Sequence, residues 1–170
     1  AEDGVDIEWI EGDFLALDLP GGFDVVIAPF NFLAQFPLEA LTGLLRRIRP
    51  LLREKGRLIF DIINPELFGP EYTKPAILRY DSPDGRGPVL LAMEIKIVGT
   101  EIHGLQRYEF ESGEKHADEI RLAAITSDAV REALKVSGFQ PGKWLGSFAG
   151  KDFSPEDPTR IVETMLSILG

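Results

Sequence analysis

A chain of 170 residues, 44% of them hydrophobic, has the length of one domain and enough apolar side chains for a real core, which excludes a disordered segment. A formal charge of −10 argues against a nucleic-acid partner, because binding a phosphate backbone depends on basic patches that release counterions. With no cysteine there is no disulfide framework, thiol nucleophile or cysteine zinc site, and with only His103 and His116 no metal site is expected.

Three apolar runs open the sequence: VDIEWI leading into Gly12-Asp13-Phe14, then FDVVIAPF, then GRLIFDII. Short buried runs separated by helical patterns imply parallel strands joined by crossovers, and ligands of such open sheets sit beyond the carboxyl ends of the strands. Asp13, the Pro29-Phe30-Asn31 segment and Asn64 are therefore expected along one edge. Between the second and third runs, LEALTGLLRRIRPLL sets Leu38, Leu41, Leu44, Leu45, Ile48, Leu51 and Leu52 at helical spacing. Arg46, Arg47 and Arg49 then read as its solvated face. Pro50 should close the last turn, and Gly56 suits a tight turn into a strand starting at Arg57.

After Asn64-Pro65 the chain turns rich in proline and glycine, with one short strand expected at Ala76 to Tyr80. VLLAMEIKIV, LQRYEFES and EIRLAAIT follow, separated by Gly99 to Gly104 and by Gly113-Glu114-Lys115. Connections this short predict an antiparallel meander. Thr126 or Ser127 can cap a helix carrying Val130, Leu134 and Val136, which Gly138 closes. KWLGSF reads as a strand, and a proline-containing loop runs from Ala149 to Pro158. TRIVETMLSIL is ambiguous: Asp157-Pro158 would start a helix, yet its Thr, Ile and Val content favours a strand, and it reads as a last strand. No run approaches the roughly 20 apolar residues of a membrane span, and no basic-then-apolar leader is present. A soluble cytoplasmic protein with no membrane partner is expected.

Four stretches, GVDIEWIEGDFLALDLP, FDVVIAPFNFLAQF, LLREKGRLIFDIINP and RLAAITSDAVREALKVSGFQPGKWLGSF, resemble in order and spacing the class I S-adenosylmethionine-dependent methyltransferases from their third strand onward. The resemblance implies an α/β fold, a Rossmann-like methyltransferase sheet, N-terminally incomplete, with an inserted antiparallel β-meander. It divides the chain into 1–65 (cofactor sheet), 66–126 (inserted sheet) and 127–170 (final helix and antiparallel strand pair). It implies S-adenosylmethionine as cofactor and a small molecule as methyl acceptor. Asp13 would accept from the adenine amino group while the Phe14 N–H meets a ring nitrogen, matching the donor and acceptor on adenine's edge. A plain turn-capping role for Asp13 is the competing reading. Ala28 and Pro29 would lie under the methionine portion; Phe30, Asn31 and Phe32 would face the transferred methyl, although aromatics at a strand end are commonly core. Methyl transfer asks for alignment and exclusion of water more than for an acid or base, so Asn31 would orient an acceptor lone pair rather than act as a base. In the insert, Tyr72, Arg79 and Tyr108 are the substrate-binding candidates, whereas His103 and His116 read as surface strand residues.

Two stretches depart from the family. Glu54-Lys55-Gly56 stands where proline-glycine-glycine is usual, and Ala28-Pro29-Phe30-Asn31 is not the Asn/Asp-Pro-Pro-Tyr of amino-group methylases acting on nucleic-acid bases or glutamine. No G-x-G-x-x-G occurs. The family's first strand, glycine-rich turn and ribose-binding acid would all lie before Gly4. A sheet beginning at its third strand exposes edges that invite a homodimer or a strand-exchanged assembly. The same absence supports a second reading, a non-catalytic binding or assembly module of methyltransferase-like fold. A dehydrogenase is disfavoured, since it too needs the glycine turn and no Tyr-x-x-x-Lys pair is present.

Overall fold

The computed structural model describes Gly4 and residues 6–140 and 142–165. It contains two four-stranded sheets. The first has β1 (Phe23–Ala28) parallel to β2 (Leu52–Ile63), with β8 (Thr159–Met165) antiparallel on the other side of β2 and β7 (Lys143–Leu145) antiparallel to β8. The second is a meander of β3 (Ala76–Asp81), β4 (Pro88–Val98), β5 (Glu101–Phe110) and β6 (Lys115–Ala123). This is the expected α/β sheet with an antiparallel insertion. The expected last strand forms as far as Met165, and the rest of that run lies outside the described residues.

Two helices cover one face of the first sheet. Helix α1 (Leu41–Ile48) turns Leu41, Leu44, Leu45 and Ile48 inward, and α2 (Ser127–Val136) turns in Val130, Ala133 and Leu134. They meet Leu58, Phe60, Ile62 and Val162 of the strands in one cluster. The expected fifteen-residue helix is shorter because its ends tighten into 3₁₀ turns at Leu38–Ala40 and Arg49–Leu51, the latter holding Pro50, which has no N–H for an α-helical bond. The Thr126 side chain caps α2 by accepting from the Ala129 N–H at 3.2 Å.

The described part of the VDIEWI run, residues 6–10, is not a strand. Residues 6–10 join no sheet, and Ile7, Trp9 and Ile10 stand 55%, 88% and 49% exposed. A strand satisfies its backbone only beside another strand, and among the described residues none lies next to this one. Strand β2 begins at Leu52 rather than Arg57. Phe23 pairs with Leu52 but Val25 with Arg57, so the residues between bulge out through Lys55 at φ 62°. Gly56 closes that bulge because a Cβ there would come within about 3.0 Å of the Phe23 carbonyl oxygen and of Leu52. In the insert, β5 starts at Glu101 instead of after Gly104. Gly104 lies inside the strand, where a Cβ would collide with Ile120 at 2.5 Å, so it serves close approach and not a turn. Strand β6 likewise starts earlier, at Lys115, and β7 ends at Leu145.

Candidate functional site

The carboxyl ends of β1 and β2 carry the unusual backbone. Directly after Ala28, both Phe30 (φ 59°) and Asn31 (φ 57°) are left-handed. Asparagine tolerates that conformation, but for phenylalanine it costs free energy and persists only where its surroundings enforce it. Asn31 supplies the enforcement. Its Oδ1 accepts the Ile63 N–H at 2.6 Å, and its own N–H donates to Asp61 Oδ1 at 3.3 Å. Because an N–H must meet an acceptor, this bond fixes the amide orientation. The carbonyl end is thereby occupied, and the Nδ2 end is the part left to meet a ligand. Phe30 is pushed outward, 85% exposed, an arrangement that burial alone would not select.

A second turn lies alongside. The N–H groups of Ala16 and Leu17 both donate to the Asp13 carbonyl, and the Leu15 N–H donates to Asp13 Oδ1 at 2.9 Å. One Asp13 oxygen thus does the turn-capping work of the plainer reading, while Oδ2 remains outward on an exposed residue. Among the described residues nothing accepts from the Phe14 N–H. The Phe14 ring meets Phe32 edge-on at 5.5 Å, and Phe32 meets Phe36 at 5.4 Å. This aromatic row joins the 13–17 turn to the 29–32 turn. It also turns Phe32 toward the core cluster, away from the exposed position of Phe30.

Arg47 corrects the reading of the arginines as a solvated face. Its Nε donates to the Phe14 carbonyl at 2.8 Å, its Nη2 to the Leu17 carbonyl, and its guanidinium stands 5.4 Å from the Phe14 ring centre. Arg46 reaches the Val136 carbonyl at 3.4 Å. These long side chains satisfy carbonyls of neighbouring segments that have no helical or strand partner, which helix periodicity does not report.

Asn64 is fully buried and works as a tie. Its Nδ2 donates to the carbonyls of Pro155 and Asp157 at 2.9 and 3.1 Å, and its Oδ1 accepts the Glu66 N–H at 3.3 Å. It binds the loop before β8 to the end of β2, so Ala28–Asn31, Asn64 and residues 146–158 share one edge. That loop is closed by Asp157, whose carboxylate takes the Lys151 ammonium and, at 2.8 Å, the Ser154 N–H. Lys151 first and the Ser154 N–H second hold its pKa below the usual carboxylate range, against an opposing effect of burial.

The insert does not bring its three candidates together. Tyr108 pairs across strands with Leu91 and His116, whereas Arg79 pairs with Leu90, which in turn pairs with Glu109. Neighbouring positions along a strand face opposite ways, so Tyr108 and Arg79 lie on opposite faces of this sheet. The Tyr108 hydroxyl donates to Gln106 Oε1 at 2.8 Å, and burial raises its pKa. Tyr72 lies against Lys96, whose Nζ is 4.3 Å from the ring centre, on the Arg79 face. His103 and His116 each bond a nearby glutamate, Glu101 at 3.0 Å and Glu114 at 2.8 Å.

On the 13–17 turn, which Arg47 and Phe32 contact, the Phe14 N–H has no acceptor among the described residues and stands next to the exposed Asp13 carboxylate, a donor and acceptor pair of the kind that would match an adenine edge. No helix among the described residues is long and apolar enough to cross a membrane.

No protein-family profile matches the chain, and no curated protein matches it. Solved structures do. The CcbJ methyltransferase of Streptomyces caelestis superposes with a TM-score of 0.71 at 18% identity, over 92% of this chain and 66% of its own. An S-adenosylmethionine-dependent methyltransferase of Clostridium acetobutylicum gives 0.74 at 14% identity, over 98% of this chain and 67% of its own. The amino pentose methyltransferase CalS10 of Micromonospora echinaspora, solved with S-adenosylmethionine bound, gives 0.69 at 15% identity, over 92% of this chain and 63% of its own. The chain therefore has the fold of the class I S-adenosylmethionine-dependent methyltransferases and spans about two thirds of the length of these structures.

Proposed function

We propose that this chain serves S-adenosylmethionine-dependent methyl transfer to a small-molecule acceptor. One observation carries the reading. The left-handed Phe30-Asn31 turn at the end of β1 is pinned to Asp61 and Ile63 of β2 and stands beside a rigid Asp13–Phe14 turn with a free donor and a free acceptor oxygen. In this reading the Phe14 N–H and Asp13 Oδ2 bind the adenine edge, and the exposed Pro29 backbone lies along the methionine portion. The bound cofactor would supply an electrophilic methyl group. Asn31 directs its Nδ2 donors at an oxygen of the acceptor, which leaves the lone pair of the reacting atom free to face that methyl; Phe30 covers the acceptor and keeps water out. Tyr108 rather than Arg79 is the substrate candidate retained from the insert, since its half-buried face carries Leu78, Leu91 and Met93. The solved relatives include an amino pentose methyltransferase and a sugar N-methyltransferase, which favours small amines among acceptors. The test is transfer of an isotopically labelled methyl group from S-adenosylmethionine into a panel of amino sugars, small amines and alcohols. Label in a small acceptor upholds the reading; label that stays in the cofactor throughout the panel counts against it.

A second reading, an assembly module, is favoured by one specific feature. Strand β1 is an edge among the described residues, and its outer-face residues Phe23, Val25 and Ile27 are 43%, 42% and 61% exposed. Unpaired strand edges with apolar side chains template pairing with another chain. Pairing through β1 does not require the non-catalytic reading, since a pairing partner that contributes to the cofactor site would serve a methyltransferase as well.

A further inference from the structure

Arg160 is the largest fully buried side chain among the described residues, at 0% exposure, and its register places it beside Ile62 of β2. Its guanidinium donates from Nη1 to Ser127 Oγ at 2.7 Å, and from Nη2 to the carbonyls of Ile63, at 3.2 Å, and Ile125. Nε has no partner among the described residues. A charge this deep is costly unless it is compensated, and among the described residues no carboxylate touches it. Compensation comes through Ser127: Glu66 accepts the Ser127 N–H at 3.1 Å and the Ser127 hydroxyl at 3.3 Å. Ser127 is also the first residue of α2, where a carboxylate meets the positive end of the helix dipole. The Ser127 hydroxyl thus takes a hydrogen bond from Arg160 and gives one to Glu66.

The partners of this relay come from segments that the chain topology keeps apart. The backbone passes from the first sheet to the second through residues 64–75 and returns through 124–126. Glu66 lies on the outward crossing, and Ile125 on the return. Ile63, the last residue of β2, is held from both ends: Asn31 accepts its N–H and Arg160 binds its carbonyl. One buried guanidinium is therefore linked to both crossings and, through Ile63, to the left-handed turn.

We propose that Arg160 is a positioning residue that locks the second sheet and the Asn31 turn into one rigid unit, fixing the acceptor-binding sheet against the position where Asn31 works. The role given to Asn31 rests on the function proposed above; the mechanical coupling does not. Arginine suits the task because its planar fork reaches Ser127 and two carbonyls at once, and lysine, a single point donor, cannot.

The test is residue-resolved amide hydrogen exchange on the chain without ligand, comparing wild type with Arg160→Lys and Ser127→Ala. Coupling predicts exchange faster by about tenfold or more at 31–34, 63–67 and 124–127, while the α1 amides of Leu44 and Leu45 keep their wild-type rates, the signature of local rather than global opening. A merely structural role predicts either a uniform increase that includes α1, or a change confined to the first turn of α2 with 31–34 and 63–67 unaffected; both outcomes overturn the proposal. Should Arg160→Lys fail to fold, Ser127→Ala decides alone, since it keeps the charge and removes only the hydroxyl link. Because no cofactor enters the experiment, failure of S-adenosylmethionine to bind would sink the methyltransferase reading and leave this result standing.

Discussion

At the scale of single residues, the site depends on groups whose job is to hold other groups. Arg47 is the clearest case. It touches no proposed ligand atom, yet two of its nitrogens bind the carbonyls that frame the Asp13–Leu17 turn. Arg47→Met keeps the aliphatic stem over Phe14 and removes the donors. We expect binding of S-adenosylhomocysteine, measured by calorimetry, to weaken about tenfold because the turn is no longer preorganised, with a modest fall in melting temperature from the lost hydrogen bonds. A large fall in stability with unchanged affinity would instead give Arg47 a packing role. Asn31→Ala removes both the Nδ2 donors and the acceptor for Ile63, so it relaxes the left-handed turn as well as the proposed contact. The expected result in methyl-transfer assays is a kcat lower by about 10²-fold with cofactor affinity changed little, as a misaligned acceptor demands. Weakened cofactor affinity with an unchanged kcat would show that Asn31 serves binding alone.

At the scale of elements, the loop between β7 and β8 is closed by one carboxylate, which makes it sensitive to acid. The folded pKa of Asp157 lies below its unfolded value, so its contribution to stability is fully present above the ordinary carboxylate pKa of about 4 and fades as pH falls through the lower folded value. Thermal unfolding of wild type and Asp157→Asn should therefore differ at pH 7 and converge as the pH drops below about 4. A gap of the same size at pH 7 and pH 3 would contradict this. How legible each element was follows from where its information resides. The α1 and α2 stripes, the β4–β6 alternation and the Thr126 cap are local patterns, and the sequence displays them. The strand at VDIEWI was expected because its composition is right, but pairing is a property of the neighbour and not of the run. Gly104 and Gly56 look like turn residues, yet each is small because another segment passes close by, which no local window reveals. Arg160, Asp61 and Arg47 are invisible for the same reason: their partners lie 30 or more positions away.

At the scale of the whole molecule, the two sheets meet at the carboxyl edge of the first, and β1 and residues 6–10 are among the segments that leave large apolar side chains exposed. Phe23, Val25 and Ile27 beside an unpaired backbone edge predict concentration-dependent association of this chain, read by light scattering, with Ile27→Lys shifting the equilibrium toward monomer. A monodisperse monomer at every concentration would contradict that expectation. The central claim is that the edge formed by Asp13, Phe14 and the Ala28–Asn31 turn binds the adenosyl cofactor, and titration of the chain with S-adenosylhomocysteine, wild type against Asp13→Ala, tests it most directly. The account predicts saturable binding that Asp13→Ala weakens about tenfold, the cost of losing a charge-assisted hydrogen bond. No binding, or binding with the same affinity in both proteins, would contradict it.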